Sequence, residues 1–185
     1  IDSSRGDAAG HEVGPSASTG QRTESAVNIS WRPAARDDIP RLVELYGPAL
    51  DEQINLREAW AVAEGLPEPI DQAFSALLDD QDSFLIVGTI DGLVFGLLWA
   101  RIEPLLPQAA PERIGVVRLV YVEEVARTVG VGEAMLEAVL EQMRAMGVRR
   151  FDAIVSPGHR LAKNFFESAG FSARRITMYH RDVLE

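Results

Sequence analysis

The chain has 185 residues, of which 46% are hydrophobic, and a formal net charge of -10. This length builds one well-buried core and is too short for two large domains. The negative net charge argues against non-specific binding to nucleic acid, because the phosphate backbone binds positively charged protein surfaces. The absence of cysteine rules out disulfides, thiolate metal ligands and a cysteine nucleophile.

The N-terminal part and the hydropathy of the chain predict where the protein is found. No apolar run approaches the roughly 20 residues that span a bilayer, and the N-terminus lacks the layout of a secretory signal. We therefore expect a cytoplasmic protein without a membrane partner. Residues 1–26 are rich in glycine, serine, alanine and charge, which predicts a disordered tail. One folded domain is expected over residues 27–185.

The predicted domain begins with a strand and several helical segments. Residues 27–32 alternate apolar and polar side chains, as a half-buried strand does. Asp37 or Asp38 is placed to cap the helix that follows. Residues 52–64 and 70–79 are predicted as two further helical segments, separated by a glycine and two prolines.

Three β-rich segments come next. Residues 84–90 and 93–102 flank Asp91 and Gly92, the strongest hairpin signal in the chain. These two strands are therefore expected to be antiparallel neighbours. Residues 114–122 are almost continuously apolar, which predicts a central strand that is buried on both faces.

The C-terminal part is predicted to alternate helix and strand. From Gly130, apolar residues recur at helical spacing as far as Gly147, which is placed as a C-cap. Residues 151–155 form the next strand, parallel to the preceding one because a helix makes the crossover. A short helix over residues 160–169 and a final strand over residues 171–181 complete the domain.

One segment combines glycines with a helix start directly after the central strand. Residues 127–132 read Arg-Thr-Val-Gly-Val-Gly. Backbone N–H groups at a helix start have no intrahelical partner and carry partial positive charge, and glycines let an anion approach them without a Cβ. We therefore predict a pyrophosphate site here, with Arg127 beside it.

The Arg-x-x-Gly-x-Gly pattern follows a strand that ends with Val120-x-Val122, and it resembles the acyl-coenzyme A loop of the GNAT superfamily of N-acetyltransferases. Ala162, Phe165 and Gly170 belong to a second segment that fits the family's Ala-x-x-Phe-Tyr-x-x-x-Gly-Phe pattern. The resemblance implies an α/β (α+β) fold with a mixed, mostly antiparallel twisted sheet of six to seven strands and about four helices. It also implies acetyl-CoA as co-substrate.

The resemblance assigns roles to individual residues. Pantetheine would pair with backbone near Val120 and Val122, in an opening between residues 114–122 and 151–155, and the amide of Val122 would polarise the thioester carbonyl. The implied coenzyme-binding residues are Val120, Tyr121, Val122, Arg127, Thr128, Val129, Gly130, Val131, Gly132, His159, Asn164 and Phe166.

The residues expected to transfer protons depart from the family pattern. Phe166 stands where many members have a tyrosine that protonates the leaving thiolate. The usual positions of a general base are Val116 and Arg118, and neither accepts a proton at working pH. A positioned water, or Glu103 or Glu123 reached through water, is the predicted substitute. Arg118 either pairs with a carboxylate of the acceptor or covers the sheet with its stem.

These observations favour an N-acetyltransferase that transfers an acetyl group from acetyl-CoA to a primary amine of a small molecule or peptide by direct attack. The departures at Phe166 and Arg118 keep open an alternative, a catalytically silent acyl-CoA-binding module that acts as a sensor or structural partner. A homodimer is considered because dimers are common among similar proteins.

Other classes of site fit the sequence less well. A dinucleotide fingerprint is disfavoured because an antiparallel hairpin precedes the glycine loop. The motifs of serine hydrolases and of P-loop phosphate transfer are absent. No metal site is expected, since the three histidines show no ligand-like spacing.

Overall fold

The computed structural model describes residues 27–56, 65–105, 112–176 and 178. Within these ranges the chain forms five strands and four helices. The strands are β1 (Ile29–Pro33), β2 (Ser83–Ile90), β3 (Leu93–Pro104), β4 (Arg113–Val122) and β5 (Phe151–Ala153). The helices are α1 (Ile39–Leu56), α2 (Ile70–Asp79), α3 (Val131–Ala145) and α4 (Arg160–Ser168).

The five strands form one mixed sheet in the order β1-β2-β3-β4-β5. The first four strands are consecutive and antiparallel, whereas β5 is parallel to β4. Asp91 and Gly92 have φ angles of 49° and 84°, the left-handed pair that a tight hairpin between β2 and β3 requires. The predicted hairpin and the predicted parallel crossover through α3 are both confirmed.

Helices cover both faces of the sheet. Met135, Val139 and Met143 of α3 pack with Leu98 and Val117 on one face. On the other face α1 and α2 pack against β2, β3 and β4 through a second cluster of buried residues: Leu42, Leu45, Tyr46, Ala49, Phe74, Leu85, Val87, Leu97 and Tyr121. The central strand therefore contacts a core on each side, which explains its nearly continuous apolar sequence.

The sheet differs from its prediction at the C-terminal end. Five strands are present in the described residues, so the prediction of six to seven is not confirmed. β5 ends at Ala153, two residues before its predicted end. Residues 171–176 have no strand structure, and most of the remaining predicted final strand lies outside the described residues.

Helix α1 includes the start of the segment predicted as a separate helix over residues 52–64. It continues through Pro48 to Leu56, so residues 52–56 belong to the first helix and not to a separate one. A proline removes one backbone donor from a helix, but Leu45 and Ala49 on either side are buried in the core, and this packing outweighs the loss. Residues 57–64 and the predicted tail, residues 1–26, lie outside the described residues.

Asp38 lies just before α1 and acts differently from the predicted cap. Its carboxylate accepts the backbone N–H of Ala35 at 2.8 Å and two hydrogen bonds from the guanidinium of Arg32 at 2.6 and 2.7 Å. It therefore ties the start of α1 back to β1. None of the helices in the described ranges is long and apolar enough to cross a membrane.

Candidate functional site

The sheet opens between β4 and β5. The two strands pair only over three residues each, and the register ends where Val117 lies beside Ala153. The last backbone hydrogen bond runs from Ile154 N–H to Val117 O, at 3.1 Å. β4 continues for five more residues to Val122 without a partner on this side among the described parts of the chain.

A β-bulge in β4 lies where the opening begins. Trp99 of β3 is opposite Leu119, and the next residue, Ala100, is opposite Val117. Arg118 is therefore an extra residue without a partner of its own. A bulge bends a strand and increases its twist, which helps to separate the end of β4 from β5.

The bulge also decides which backbone groups of β4 face the opening. Beyond Arg118, the N–H of Glu123 donates to Phe95 O at 2.9 Å, so Glu123 points towards β3. Residues of an antiparallel pair alternate between bonding to the partner strand and pointing away from it. Val120 and Val122 therefore present their N–H and C=O groups to the opening.

A small cavity of about 50 Å³ lies at the inner end of the opening. Phe166 of α4 forms a buried part of its wall, with only 4% of its surface exposed. The indole N–H of Trp99 is buried there and has no hydrogen-bond partner among the described residues. The cavity is lined by Tyr46, Leu50, Gln53, Gly65, Leu66, Trp99, Arg118, Leu119, Val120, Ile154, Val155, Ser156, His159, Ala162 and Phe166.

A turn at the end of β4 leads into the N-terminus of α3 and exposes backbone N–H groups. Thr128 and Gly130 have φ angles of 66° and 102°, and Gly130 caps the helix without any side-chain hydrogen bond. The first backbone bond of the helix runs from Ala134 N–H to Gly130 O at 3.0 Å. The N–H groups of residues 131–133 precede it, so the turn can bind an anion through main-chain donors.

The two glycines of this turn have different roles. A Cβ on Gly130 would meet nothing within 4 Å, but its φ angle is one that side chains rarely adopt. A Cβ on Gly132 would lie 3.2 Å from the ring of Phe165 and 3.7 Å from a γ-carbon of Val122. Gly132 therefore lets α3 and α4 approach each other. The expectation that both glycines leave room for an anion stays a prediction.

Arg127 turns towards the end of β4 and towards α1. Its Nε donates to Val122 O at 2.8 Å, and its Nη2 donates to the carboxylate of Glu52. The guanidinium carbon lies 5.6 Å from the centre of the Tyr121 ring, in the range of a cation–π contact. In this arrangement the predicted pyrophosphate site consists of main-chain N–H groups.

Glu52 is the functional candidate that sequence reasoning missed. One of its oxygens, Oε1, accepts from Arg127, and the other, Oε2, lies 3.8 Å from Nε2 of His159. His159 uses its other ring nitrogen, Nδ1, to accept the N–H of Ala162 at 3.1 Å, as the N-cap of α4. When the imidazole is neutral, this bond assigns its proton to Nε2, which faces Glu52.

Three more predicted site residues have different positions relative to the cavity. Tyr121 packs its side chain into the core with α1 and α2, and its pKa is raised by burial and by the negative charge of Glu52. Phe166 lines the cavity, whereas Asn164 is exposed on α4 and is not part of the cavity wall.

The carboxylates predicted as bases through water are both engaged in ion pairs. Glu103 accepts from Nε of Arg118 at 3.1 Å, and Glu123 accepts from Nη2 of Arg41 at 2.6 Å. Arg118 thus lines the cavity, and its guanidinium forms an ion pair with Glu103. Val116, the other family position for a base, is buried, with 7% of its surface exposed.

An acidic groove of about 410 Å³ lies beside the end of β4. Its residues come from the second half of α1, from β4 and from the turn after β4: Pro48, Asp51, Glu52, Asn55, Tyr121, Glu123, Glu124 and Val125. Glu52 therefore contacts His159 of the cavity and also lines the groove. Among the described residues, no group of three or more histidine and acidic side chains is arranged to hold a metal ion.

The chain belongs to the acetyltransferase (GNAT) family, whose model matches residues 41–171. This range contains the opening, the turn before α3 and the cavity wall. The predicted family membership is confirmed. No curated protein matches the chain.

Several solved structures share the fold. A tetramutant of the BH1408 protein from Bacillus halodurans is 20% identical, with a TM-score of 0.71 over 82% of this chain and 98% of that one. A putative acetyltransferase from Agrobacterium tumefaciens is 22% identical, with a TM-score of 0.62 over 83% and 99%. The aminoglycoside N-acetyltransferase AAC(6')-Iy, solved in complex with CoA, is 16% identical, with a TM-score of 0.66 over 86% and 97%.

Proposed function

We propose that the protein is an acetyl-CoA-dependent N-acetyltransferase, which transfers the acetyl group to a primary amine of a small molecule or peptide by direct attack. The observation that carries this proposal is the opening between β4 and β5, into which Val120 and Val122 present their backbone groups. The turn before α3, with its exposed N–H groups, continues directly from the same strand. One segment thus offers main-chain groups to the pantetheine arm and to the pyrophosphate.

The pyrophosphate of the coenzyme is proposed to bind the N–H groups of residues 128–132. These donors lie at the positive end of a 15-residue helix, where an anion is stabilised by the helix dipole. Because Gly130 has no side chain, it does not compete with a bound anion for the N–H groups at the start of α3. Arg127 supports this site by fixing the end of β4.

The pantetheine arm is proposed to lie along β4 in the opening, paired with the backbone of Val120 and Val122. The thioester carbonyl then lies at the N–H of Val122, which stabilises the negative charge that develops on oxygen during attack. Holding the amine and the thioester together supplies much of the rate by itself. Phe166 packs against the thiol end but cannot protonate it.

The acceptor is proposed to enter from the side of α1 and the segment that leads to α2. Tyr46, Leu50 and Gln53 of α1 form that wall of the cavity. A small-molecule amine is consistent with the structural neighbour AAC(6')-Iy, which was also solved with the bisubstrate analog CoA-S-monomethyl-acetylneamine. Glu103 and Glu123 are candidate bases through water, each through the carboxylate oxygen that its arginine does not contact.

A catalytically silent acyl-CoA-binding module is the second candidate. The observation that favours it is the buried phenyl ring of Phe166 at the position of the family's proton donor. Both candidates predict that acetyl-CoA binds, but only the enzyme releases free thiol.

A combined binding and turnover experiment separates the two functions. Calorimetry with acetyl-CoA is expected to show binding in either case. Thiol release is then followed across a panel of amines, amino acids and peptides, and the proposed enzyme releases CoA with at least one acceptor class. Binding without release for every acceptor would favour the silent module, and absence of binding would contradict both.

A further inference from the structure

The proposed reaction requires a group that removes a proton from the acceptor. An alkyl amine with a pKa near 10 is mostly an ammonium ion at neutral pH, and this ion has no lone pair with which to attack. The family positions for a base are Val116 and Arg118, which cannot accept the proton. Glu103 and Glu123 are each held by an arginine.

Glu52, Glu103 and Glu123 each keep one carboxylate oxygen without a hydrogen bond to the described residues, but only the free oxygen of Glu52, among these three, faces His159 of the cavity wall. Arg127 fixes its Oε1 and at the same time bonds to Val122 O. The guanidinium of Arg127 therefore bridges the Glu52 carboxylate and the end of β4. The N–H groups of Val120 and Val122 in this part of β4 face the opening. Oε2 of Glu52 has no hydrogen bond to the described residues and lies opposite Nε2 of His159, at 3.8 Å.

The distance of 3.8 Å between Oε2 of Glu52 and Nε2 of His159 lets a third group that lies beside the two atoms contact both. It exceeds the length of an N–H···O hydrogen bond, so the two side chains do not satisfy each other directly. His159 belongs to the wall of the cavity that also contains Val120 and Phe166. An amine or a bridging water at this position lies beside the predicted site of the thioester.

The groove that reaches Glu52 favours a positively charged acceptor. Asp51 and Glu124 line it together with Glu52. An amine that approaches through these carboxylates arrives in its ammonium form, because the surrounding negative charge stabilises that form. A base is then required between the groove and the cavity, and Glu52 lines the groove and lies 3.8 Å from His159 of the cavity wall.

We propose, on the basis of the N-acetyltransferase function proposed above, that Glu52 is the catalytic base for the acceptor amine. Oε2 takes one proton from the ammonium group, and the neutral nitrogen forms a bond to the thioester carbon. The carbon–sulfur bond then breaks, and the attacking nitrogen gives its second proton to the departing thiolate. The products are the amide, CoA as free thiol and protonated Glu52, which returns its proton to water.

The charged and titratable groups around Glu52 come from three other elements. Arg127 of the turn and His159 before α4 face its two oxygens, and Tyr121 of β4 lies beneath the guanidinium. Across the groove are Glu123, which is paired with Arg41, and Glu124. Asp51 precedes Glu52 on α1.

The test compares the pH dependence of the wild type and of Glu52→Gln, which keeps the size of the side chain. At pH 7 we expect kcat/KM for the amine to fall by about 100-fold, the usual contribution of a general base. The deficit is expected to shrink as pH rises from 6 to 9, because a growing fraction of the amine arrives without its extra proton. Affinity for acetyl-CoA, measured by calorimetry, should stay within about threefold if Glu52 acts on the amine.

Glu44→Gln is the matched control. Glu44 lies on the same helix, eight residues earlier, and also pairs with an arginine, Arg41, at 2.9 Å. It lies outside the cavity and the groove described above. This variant should leave kcat/KM and its pH dependence unchanged.

Three results would overturn the role of Glu52. The first is activity of E52Q within threefold of the wild type at pH 7. The second is a loss that stays constant from pH 6 to 9, which would indicate that Glu52 only holds Arg127. If E52Q does not fold, Glu52→Asp replaces it in the test. The third contradicting result is then a folded E52D enzyme whose loss of kcat/KM does not depend on pH. A wild type that neither binds acetyl-CoA nor releases thiol would instead contradict the proposed function itself.

Discussion

The coenzyme side and the acceptor side of the site are built in different ways. On the coenzyme side the proposed contacts are main-chain groups of β4 and of the turn before α3, and they follow one another within residues 120–132. On the acceptor side the contacts are side chains of α1, β4 and the N-cap of α4. The pair formed by Glu52 and Arg127 joins residues 75 positions apart in the chain.

This difference determines what each side tolerates. Main-chain donors depend on the local conformation, so most side chains at their positions can change without loss of the donor. Side-chain contacts depend on how separate elements pack and on the identity of each residue. Substitutions that keep both the backbone and the charge should therefore spare the coenzyme side, and conservative changes of one functional group should already damage the acceptor side.

Val122→Pro tests the main-chain assignment and should have the largest effect in this comparison. Proline has no N–H, and the N–H of Val122 points away from β3, so the substitution removes the proposed oxyanion donor without removing a sheet hydrogen bond. We expect kcat to fall by about 100-fold, the effect of losing one such donor. Steady-state kinetics with acetyl-CoA measure it, and a thermal melt confirms that the variant is folded.

Val122→Ala is the control for this substitution. It keeps the N–H and removes only apolar contacts on the side of α3, so kcat should remain close to that of the wild type. Equal losses in the alanine and proline variants would show that the side chain matters and would contradict the main-chain assignment.

Val129→Glu tests the proposed anion site through charge. Val129 is 47% exposed, so a longer side chain fits without disturbing the core, and its negative charge lies near the proposed pyrophosphate. We expect affinity for acetyl-CoA to fall roughly tenfold, because like charges repel and the helix terminus loses part of its attraction for the ligand. Calorimetry measures the change, which should weaken at high salt.

Met146→Glu provides the matched control for this charge. Met146 is 50% exposed and follows the other end of α3, so the same charge is introduced away from the proposed anion site. Affinity for acetyl-CoA should stay unchanged. A similar loss in both variants would indicate a general effect of net charge on binding.

Asp38→Asn tests how the acceptor side is anchored, and its expected effect is the smallest. Hydrogen bonds from Arg32 lower the pKa of Asp38 below its ordinary value of 3.8, against the opposing effect of burial. A lowered carboxyl pKa stabilises the fold fully above the ordinary value, and this contribution is lost as pH falls through the lowered one. At pH 7 we expect the substitution to cost about 1.5 kcal/mol, discounted because Arg32 is partly exposed.

Urea unfolding at several pH values measures this contribution. The difference in unfolding free energy between wild type and D38N should be largest near pH 7 and should shrink as pH falls below 4. A difference that is the same at pH 7 and pH 3 would show that the ion pair is not its source.

Local features of the fold and site could be predicted from the sequence. The hairpin at Asp91 and Gly92 needs only two residues with positive φ, and the helix start at Gly130 needs one glycine after a strand. The order of strands and helices around them then predicts the family. These features depend on neighbours in the chain, and for this reason they are visible in the sequence.

Features that depend on distant contacts could not be predicted. The bulge at Arg118 results from the register between β3 and β4, and nothing in the run of β-forming residues marks it. The different roles of Gly130 and Gly132 appear only once Phe165 of α4 is in place. Glu52 resembles any acidic residue on a helix surface until Arg127 and His159 are seen to face it.

The central claim is that the coenzyme lies in the opening of the sheet, held by main-chain N–H groups. Titration of the ¹⁵N-labelled protein with acetyl-CoA, followed by amide resonances, tests it most directly. The amides of Val120, Val122 and residues 128–132 should show the largest changes, while those of β1, at the opposite edge of the sheet, should show little change. Large changes confined to other elements, with these amides unaffected, would contradict the account.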